Sequence, residues 1–331
     1  MPIESSQGLR LEVHANGLIC CRACAISSAP TPAPKMRAIA GSGPRVGRIA
    51  SIVKDAGRVS MVVGEAFAPY NGFGLCAWIG GLWVAYRFEA DGWQQYVMTW
   101  HDPHRQLESP EKEIAIVDDA LDALVSCGVL PHNRYDKAKF EAHRAAVRER
   151  FDIPWTAITP RMQRVLYALN AIAQPSVMAA VGVFCGNTFI SNAGAAIGPG
   201  TCYEAESVVG LEIRTEEADR ARRNVATLAH NGVDVQMLGA DGGPWLRDYD
   251  GTIDLLYLDA DGPRGTGKSI YLSLLQTGQH ALRPGSLVLA HNSVNSARQL
   301  ADYLTYVRDS DRFTNSVNVV VDDQGLEVTL V

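Results

Sequence analysis

No apolar run in this 331-residue chain approaches the roughly 20 residues that a bilayer-spanning helix requires. The most apolar stretch, residues 72–86, is short and broken by glycines. The opening Met1-Pro2-Ile3-Glu4-Ser5 lacks the charged start and apolar core of a secretory signal, so the expected setting is the cytoplasm, with no membrane partner. Cysteine is sparse: seven residues, an odd number spread over a long chain, do not suggest a disulfide framework. Cys20, Cys21 and Cys24 cluster, but no second Cys or His pair follows at zinc-finger spacing, and they read as small buried hydrophobes. Positive charge is short in the second half. Residues 1–150 hold 17 basic and 16 acidic side chains, which leaves 13 and 20 for 151–331 out of totals of 30 and 36. An acidic half disfavours a phosphate-backbone partner and points to a small molecule.

What the chain has is 47% hydrophobic residues, enough to fill two cores. Asn16-Gly17 sets off two short strands, and Asp91-Gly92 predicts a hairpin between residues 82–90 and 93–100. Four of the six tryptophans, Trp78, Trp83, Trp93 and Trp100, fall near that second turn. They read as cross-strand packing or as part of a substrate-pocket wall. Ser109-Pro110 opens a helix that ends at Gly128, residues 135–150 form a charged second helix, and Thr159-Pro160 opens a third. Residues 153–155 look like the join between an amino-terminal α+β accessory domain, 1–152, and a second domain, 153–331.

From there strands and helices alternate. Strands are expected at 179–184, 207–213, 235–238, 253–258, 287–290, 317–321 and 326–331, with helices at 187–197 and after Thr215, read as a cap. The last two strands flank Asp322-Asp323-Gln324-Gly325, a hairpin that adds an antiparallel edge to a Rossmann-like doubly wound sheet. Gly182 and Gly186, in Val181-Gly182-Val183-Phe184-Cys185-Gly186-Asn187-Thr188, allow a sharp turn and close ligand approach. Glu212 ends the second strand, where a carboxylate can accept both hydroxyl hydrogens of a ribose, and Asp241 ends the third, where it can accept from an adenine amino group. For either acid alone a solvated loop residue is an equal reading; their placement on successive strands is the signal.

This order and spacing resemble the class I S-adenosylmethionine-dependent methyltransferases, in particular the catechol and caffeoyl-CoA type O-methyltransferases, over residues 157–331. The resemblance implies a methyl transfer to a small, secondary-metabolite-like acceptor, with S-adenosylmethionine held by Gly182, Phe184, Gly186, Asn187, Glu212, Ile213, Asp241, Gly242 and Asp259. Ala180 departs from it, standing where the family carries an acid. The family's divalent-cation site would fall on Asp259, His291 and Asn292, in Leu258-Asp259-Ala260-Asp261 and Ala290-His291-Asn292. His291 replaces the family's Asp, which removes a negative charge from a site for hard, oxygen-seeking Mg²⁺ and makes a catalytic metal doubtful. A softer metal could use the same three residues. The expected catalytic residues are therefore His291 as general base, since imidazole titrates near neutrality, with Asp259 and Asn292 orienting the acceptor. A histidine hydrogen-bonded at a strand end is the bland reading of the same residue.

One competing motif lies in the same region. Gly262-Pro263-Arg264-Gly265-Thr266-Gly267-Lys268-Ser269 fits the phosphate-loop pattern at every fixed position. A nucleoside-triphosphate hydrolase places that loop after its first strand, whereas here only 62 residues follow Ser269. The segment reads instead as a substrate-side insertion. The same residues are also compatible with a different alkyl transfer or ring closure from a sulfonium species, and with a non-catalytic cofactor-binding scaffold. A homodimer is left open.

Overall fold

A computed structural model of the chain describes residues 87–331 throughout and, before them, the backbone of seven strands. β1 (Ile3–Glu4), β2 (Arg10–Val13) and β3 (Ile19–Arg22) form one antiparallel sheet, with Arg10 opposite Arg22 and Val13 opposite Ile19. The turn Asn16-Gly17 lies outside the described residues. β4 (Arg48–Asp55) pairs with β5 (Arg58–Glu65), and β6 (Cys76–Ile79) with β7 (Leu82–Ala85), setting Trp78 opposite Trp83.

The remaining strands are β8 (Arg87–Glu89), β9 (Val177–Val181), β10 (Ser207–Glu212), β11 (Asp234–Gly239), β12 (Leu255–Leu258), β13 (Leu287–His291), β14 (Asn315–Val320) and β15 (Leu326–Leu330). They make one sheet in the order β11-β10-β9-β12-β13-β15-β14-β8. The first five run parallel, and β15 is antiparallel to both neighbours, giving the expected antiparallel hairpin, with β8 added outside it at the edge. The parallel part starts in the middle at β9, builds outward through β10 and β11, then returns to β12 and builds the other way. That reversal opens a crevice at the carboxyl ends of β9 and β12, the place where doubly wound sheets bind ligands.

Alternate residues of each strand face opposite layers. Met178 and Ala180 of β9 join a core formed with α1 (Pro110–Ser126), α2 (Lys137–Arg150), α3 (Pro160–Ala173), α4 (Asn187–Ala193) and α5 (Thr215–Val225). Ala179 and Val181 join another formed with α6 (Gly242–Asp248), α7 (Tyr271–Gly278) and α8 (Ala301–Val307). Burial on both faces explains why these strands read as apolar runs rather than alternating patterns.

Several local expectations change. Asp91-Gly92 turns the chain, Gly92 having φ 69°, but into a 3₁₀ turn over Trp93–Gln95 rather than a second strand. The strand before it is already paired with β14, Phe88 opposite Val319, and the Ala90 amide extends that pairing to Val320. Thr215 does not cap α5; Arg214 is the capping residue. Ser109 and Thr159 cap α1 and α3 as expected, accepting from the Lys112 and Met162 amides. Cys127 is disulfide-bonded, whereas Cys185 and Cys202 are free.

Asp152 and Ile153 both lie inside one compact unit, Arg45–Val331; the other unit is Met1–Pro44. Buried ion pairs bind residues 93–126 to α3. Arg161 grips both oxygens of Glu108 at 2.6 Å, and Arg164 reaches Glu113 at 2.5 Å. Such charges are tolerated in a core only because each is paired.

Candidate functional site

A cavity of about 800 Å³ opens at the reversal point of the sheet. Phe184, Asn187, Glu212, Ile213, Asp241, Gly242, Asp259, His291 and Asn292 line it, together with Gly182. Of the residues expected to bind a cofactor or act on an acceptor, Gly186 alone stays outside. It has φ 90° and starts α4, where a Cβ would sit 3.2 Å from that of Ala221, so its smallness serves helix packing. Gly182 has φ 85°, and a Cβ there would lie 2.5 Å from the Ala260 backbone, so the tips of β9 and β12 can approach only with glycine between them.

Glu212 is buried at 5% exposure. Its Oε2 accepts from the Phe184 amide at 2.8 Å, and its Oε1 from Arg214 Nε at 3.0 Å and the Arg214 amide at 3.1 Å. The carboxylate thus fixes the turn after β9, at a residue held at φ 50°, and retains one lone pair, on Oε2, for a ligand. Asp241 is exposed and caps α6, its Oδ1 accepting from the Gly243 amide at 2.9 Å. Asn187 holds the pocket wall in place, donating to Thr156 Oγ1 at 3.0 Å.

The wall beyond Phe184 is aromatic. Phe184 packs on Trp155 with centroids 4.6 Å apart, and Trp155 stacks on Trp100 at 5.4 Å. Of these two tryptophans the sequence offers only Trp100 for a pocket wall; Trp155 reads there as part of a domain join. The bond from the Thr156 amide to the Trp100 carbonyl, 2.9 Å, brings the two together.

At the other end, β12 and β13 place Asp259 and His291 side by side. His291 Nδ1 lies 3.4 Å from Asp259 Oδ2 without a well-aligned hydrogen bond, and neither ring nitrogen has a partner although the residue is 2% exposed. Tyr257 donates to the same Oδ2 at 3.3 Å. Asp259 Oδ1 accepts from Lys268 Nζ at 2.9 Å, and its backbone carbonyl accepts from the same ammonium at 2.8 Å. Burial would raise the Asp259 carboxyl, but Lys268 and His291 outweigh it and hold the group at about 2. Burial likewise acts to lower the Lys268 ammonium, and Asp259 and Asp261 more than offset it, raising the group. Asn292, at φ 67°, donates to Gln324 Oε1 at 2.8 Å, and Asn295 donates to the same oxygen at 2.8 Å.

The phosphate-loop motif has a different use here. The amides of Gly262, Thr266 and Ser269 are engaged within the loop, that of Lys268 donates to Gln299, and the lysine turns back onto Asp259. A phosphate cradle needs such amides pointing at the ligand.

No protein-family model matches this chain, and no curated protein matches it. Among solved structures it is similar to an S-adenosylhomocysteine-bound methyltransferase from Podospora anserina, at 14% identity over 69% of this chain and 99% of that one, TM-score 0.46. It is also similar to an O-methyltransferase from Bacillus cereus in complex with S-adenosylhomocysteine, at 17% over 66% and 97%, TM-score 0.44. A third is the O-methyltransferase TomG of tomaymycin synthesis from Streptomyces achromogenes, in complex with S-adenosylmethionine, at 20% over 60% and 91%, TM-score 0.43. At these identities and scores, no residue role or substrate passes from them to this chain.

Proposed function

We propose that this protein transfers the methyl group of S-adenosylmethionine to an ionisable group on a small-molecule acceptor. The observation that carries the reading is the continuity of one cavity from the strand-tip acids Glu212 and Asp241, past the Gly182 turn, to Asp259, His291 and Asn292. Glu212 accepts from a ribose hydroxyl through the lone pair left on Oε2, and Asp241 accepts from the adenine amino group. Ile213, 65% exposed and on the cavity wall, offers an apolar surface to the adenine. Gly182, Phe184, Asn187 and Gly242 shape the wall between them.

When bound, the cofactor supplies an electrophilic methyl on a sulfonium whose leaving group needs no protonation. The chain's own work is alignment and deprotonation. Asp259 beside Nδ1 favours the His291 tautomer that carries hydrogen there, leaving Nε2 to take the acceptor proton. The methyl would pass to the acceptor lone pair as the carbon–sulfur electron pair goes to sulfur. The proton leaves His291 for water as products depart. Asn292 orients the acceptor, and Asp259 holds His291 and Lys268 toward it.

The donor set does not fit a divalent cation. Asp259 Oδ1 is taken by an ammonium, Oδ2 faces a histidine and a phenol, and Asn292, whose Nδ2 is tied to Gln324, offers one neutral oxygen. Mg²⁺ seeks oxygen ligands in near-octahedral array. Among the described residues, no three His, Cys, Asp or Glu side chains converge. Incubation with methyl-labelled S-adenosylmethionine and a small-molecule extract of cells tests the reading. Label should pass to an extracted compound; binding without transfer would reduce the protein to a cofactor-binding scaffold.

A further inference from the structure

We propose that Lys268 is the resident cation of the acceptor end of the site, occupying the place beside Asp259 that a divalent ion would take and donating a hydrogen bond to the acceptor as it loses its proton. The second half of this statement rests on the methyltransferase reading; the first rests on the ion pair alone.

Lys268 lines the cavity with a side chain 11% exposed. Of its three N–H groups, one meets Asp259 Oδ1 and one the Asp259 carbonyl, while Asp261 Oδ1, at 3.6 Å, is too far to take the third. That leaves one N–H of a charged donor without a close partner, on a residue that lines the same cavity as His291. A second cation beside Asp259 would meet this ammonium at a few ångströms, where like charges in a partly desolvated site repel strongly.

The residues between Asp261 and Lys268 are built to deliver that side chain. Gly262 N donates to Gly267 O at 2.8 Å, closing the loop on itself, and the Thr266 hydroxyl and amide both bond Pro263 O, at 2.7 and 2.9 Å. Gly267, at φ 50°, leaves room for Gln299, whose Oε1 accepts from the Lys268 amide at 2.9 Å. The loop therefore returns the lysine to the strand tip it left. This gives the Gly-Lys-Ser motif a function with no nucleotide: its glycines allow the return, and its lysine supplies the charge.

The test uses the full chain, with Mn²⁺ as the probe for a divalent ion, followed by electron paramagnetic resonance, and label transfer from S-adenosylmethionine into the cell extract as the activity readout. The wild-type protein should leave the free Mn²⁺ signal unattenuated and transfer label equally with or without EDTA. Lys268→Met should keep cofactor affinity within about twofold by calorimetry yet lose on the order of 10²–10³ in turnover, as when one transition-state donor is removed. Lys268→Arg, which keeps the charge, should retain more activity than Lys268→Met and guards against a folding defect in the latter. Stoichiometric Mn²⁺ binding that Asp259→Asn abolishes would overturn the proposal, as would wild-type turnover in Lys268→Met. A wild-type protein that transfers no label would overturn the functional reading instead, and the Mn²⁺ measurement would still decide which cation sits beside Asp259.

Discussion

The Glu212 carboxylate and the Phe184 amide are joined by a 2.8 Å hydrogen bond that ties the end of β10 to the turn after β9. One side chain therefore serves two purposes, holding the turn in shape and presenting an acceptor to the cavity.

Glu212→Ala removes both. The Phe184 amide and Arg214 lose their partner, so melting temperature should fall, and cofactor affinity should weaken by roughly 1–3 kcal/mol, the usual cost of a lost charge-assisted hydrogen bond. Glu212→Gln, which keeps one acceptor oxygen, should recover most of the stability and less of the affinity. Calorimetry with S-adenosylmethionine alongside thermal unfolding separates the two; unchanged affinity in folded Glu212→Ala would remove the ribose assignment.

His291 carries the second expectation. Its Nε2 lacks a partner and its Nδ1 faces Asp259, so His291→Ala should lower turnover by about 10²–10⁴ while cofactor affinity holds. A merely structural His291 would instead give an Ala variant of reduced melting temperature and normal turnover per folded molecule.

Much of this site is legible in the sequence because its signals are local. A glycine turn after an apolar run, and acids at the ends of the next two, follow from spacing alone, and Gly182, Glu212, Asp241, Asp259 and His291 do meet at one cavity. What spacing does not carry is contact between distant segments. Gln324 reaches Asn292 across the β14–β15 turn, and β8 lies beside β14 in place of the local hairpin that Asp91-Gly92 suggested. Lys268 is a related case: its motif is visible, but its direction depends on a loop closed by its own amides. Gly186 errs the other way, since a glycine needed for helix packing and one needed for ligand approach look alike in sequence.

A third expectation concerns acid stability. Burial, with Arg144 adding to it, pushes His143 down to about 4 from its ordinary 6.5. It sits at 4% exposure, stacked on Tyr167 with centroids 5.6 Å apart, and its Nδ1 has no partner. A depressed folded-state value means the unfolded chain binds the proton first, so stability present above pH 6.5 is lost as pH falls toward 4, by at most about 3 kcal/mol from this group. Asp259 has the same sign in a lower window, between its ordinary 3.8 and about 2. Urea unfolding from about pH 7 to about pH 4 should show the first loss, and His143→Leu should flatten it. An unchanged slope in that variant would assign the loss elsewhere.

The central claim is that the cavity at the end of β9 and β12 takes S-adenosylmethionine and not a nucleoside triphosphate. Calorimetric titration of the full-length protein with each ligand tests it most directly. The expected result is a saturable heat for one S-adenosylmethionine per chain and none for ATP with Mg²⁺ at the same concentrations. Heat from ATP with Mg²⁺ that Lys268→Ala abolishes, together with none from S-adenosylmethionine, would contradict it.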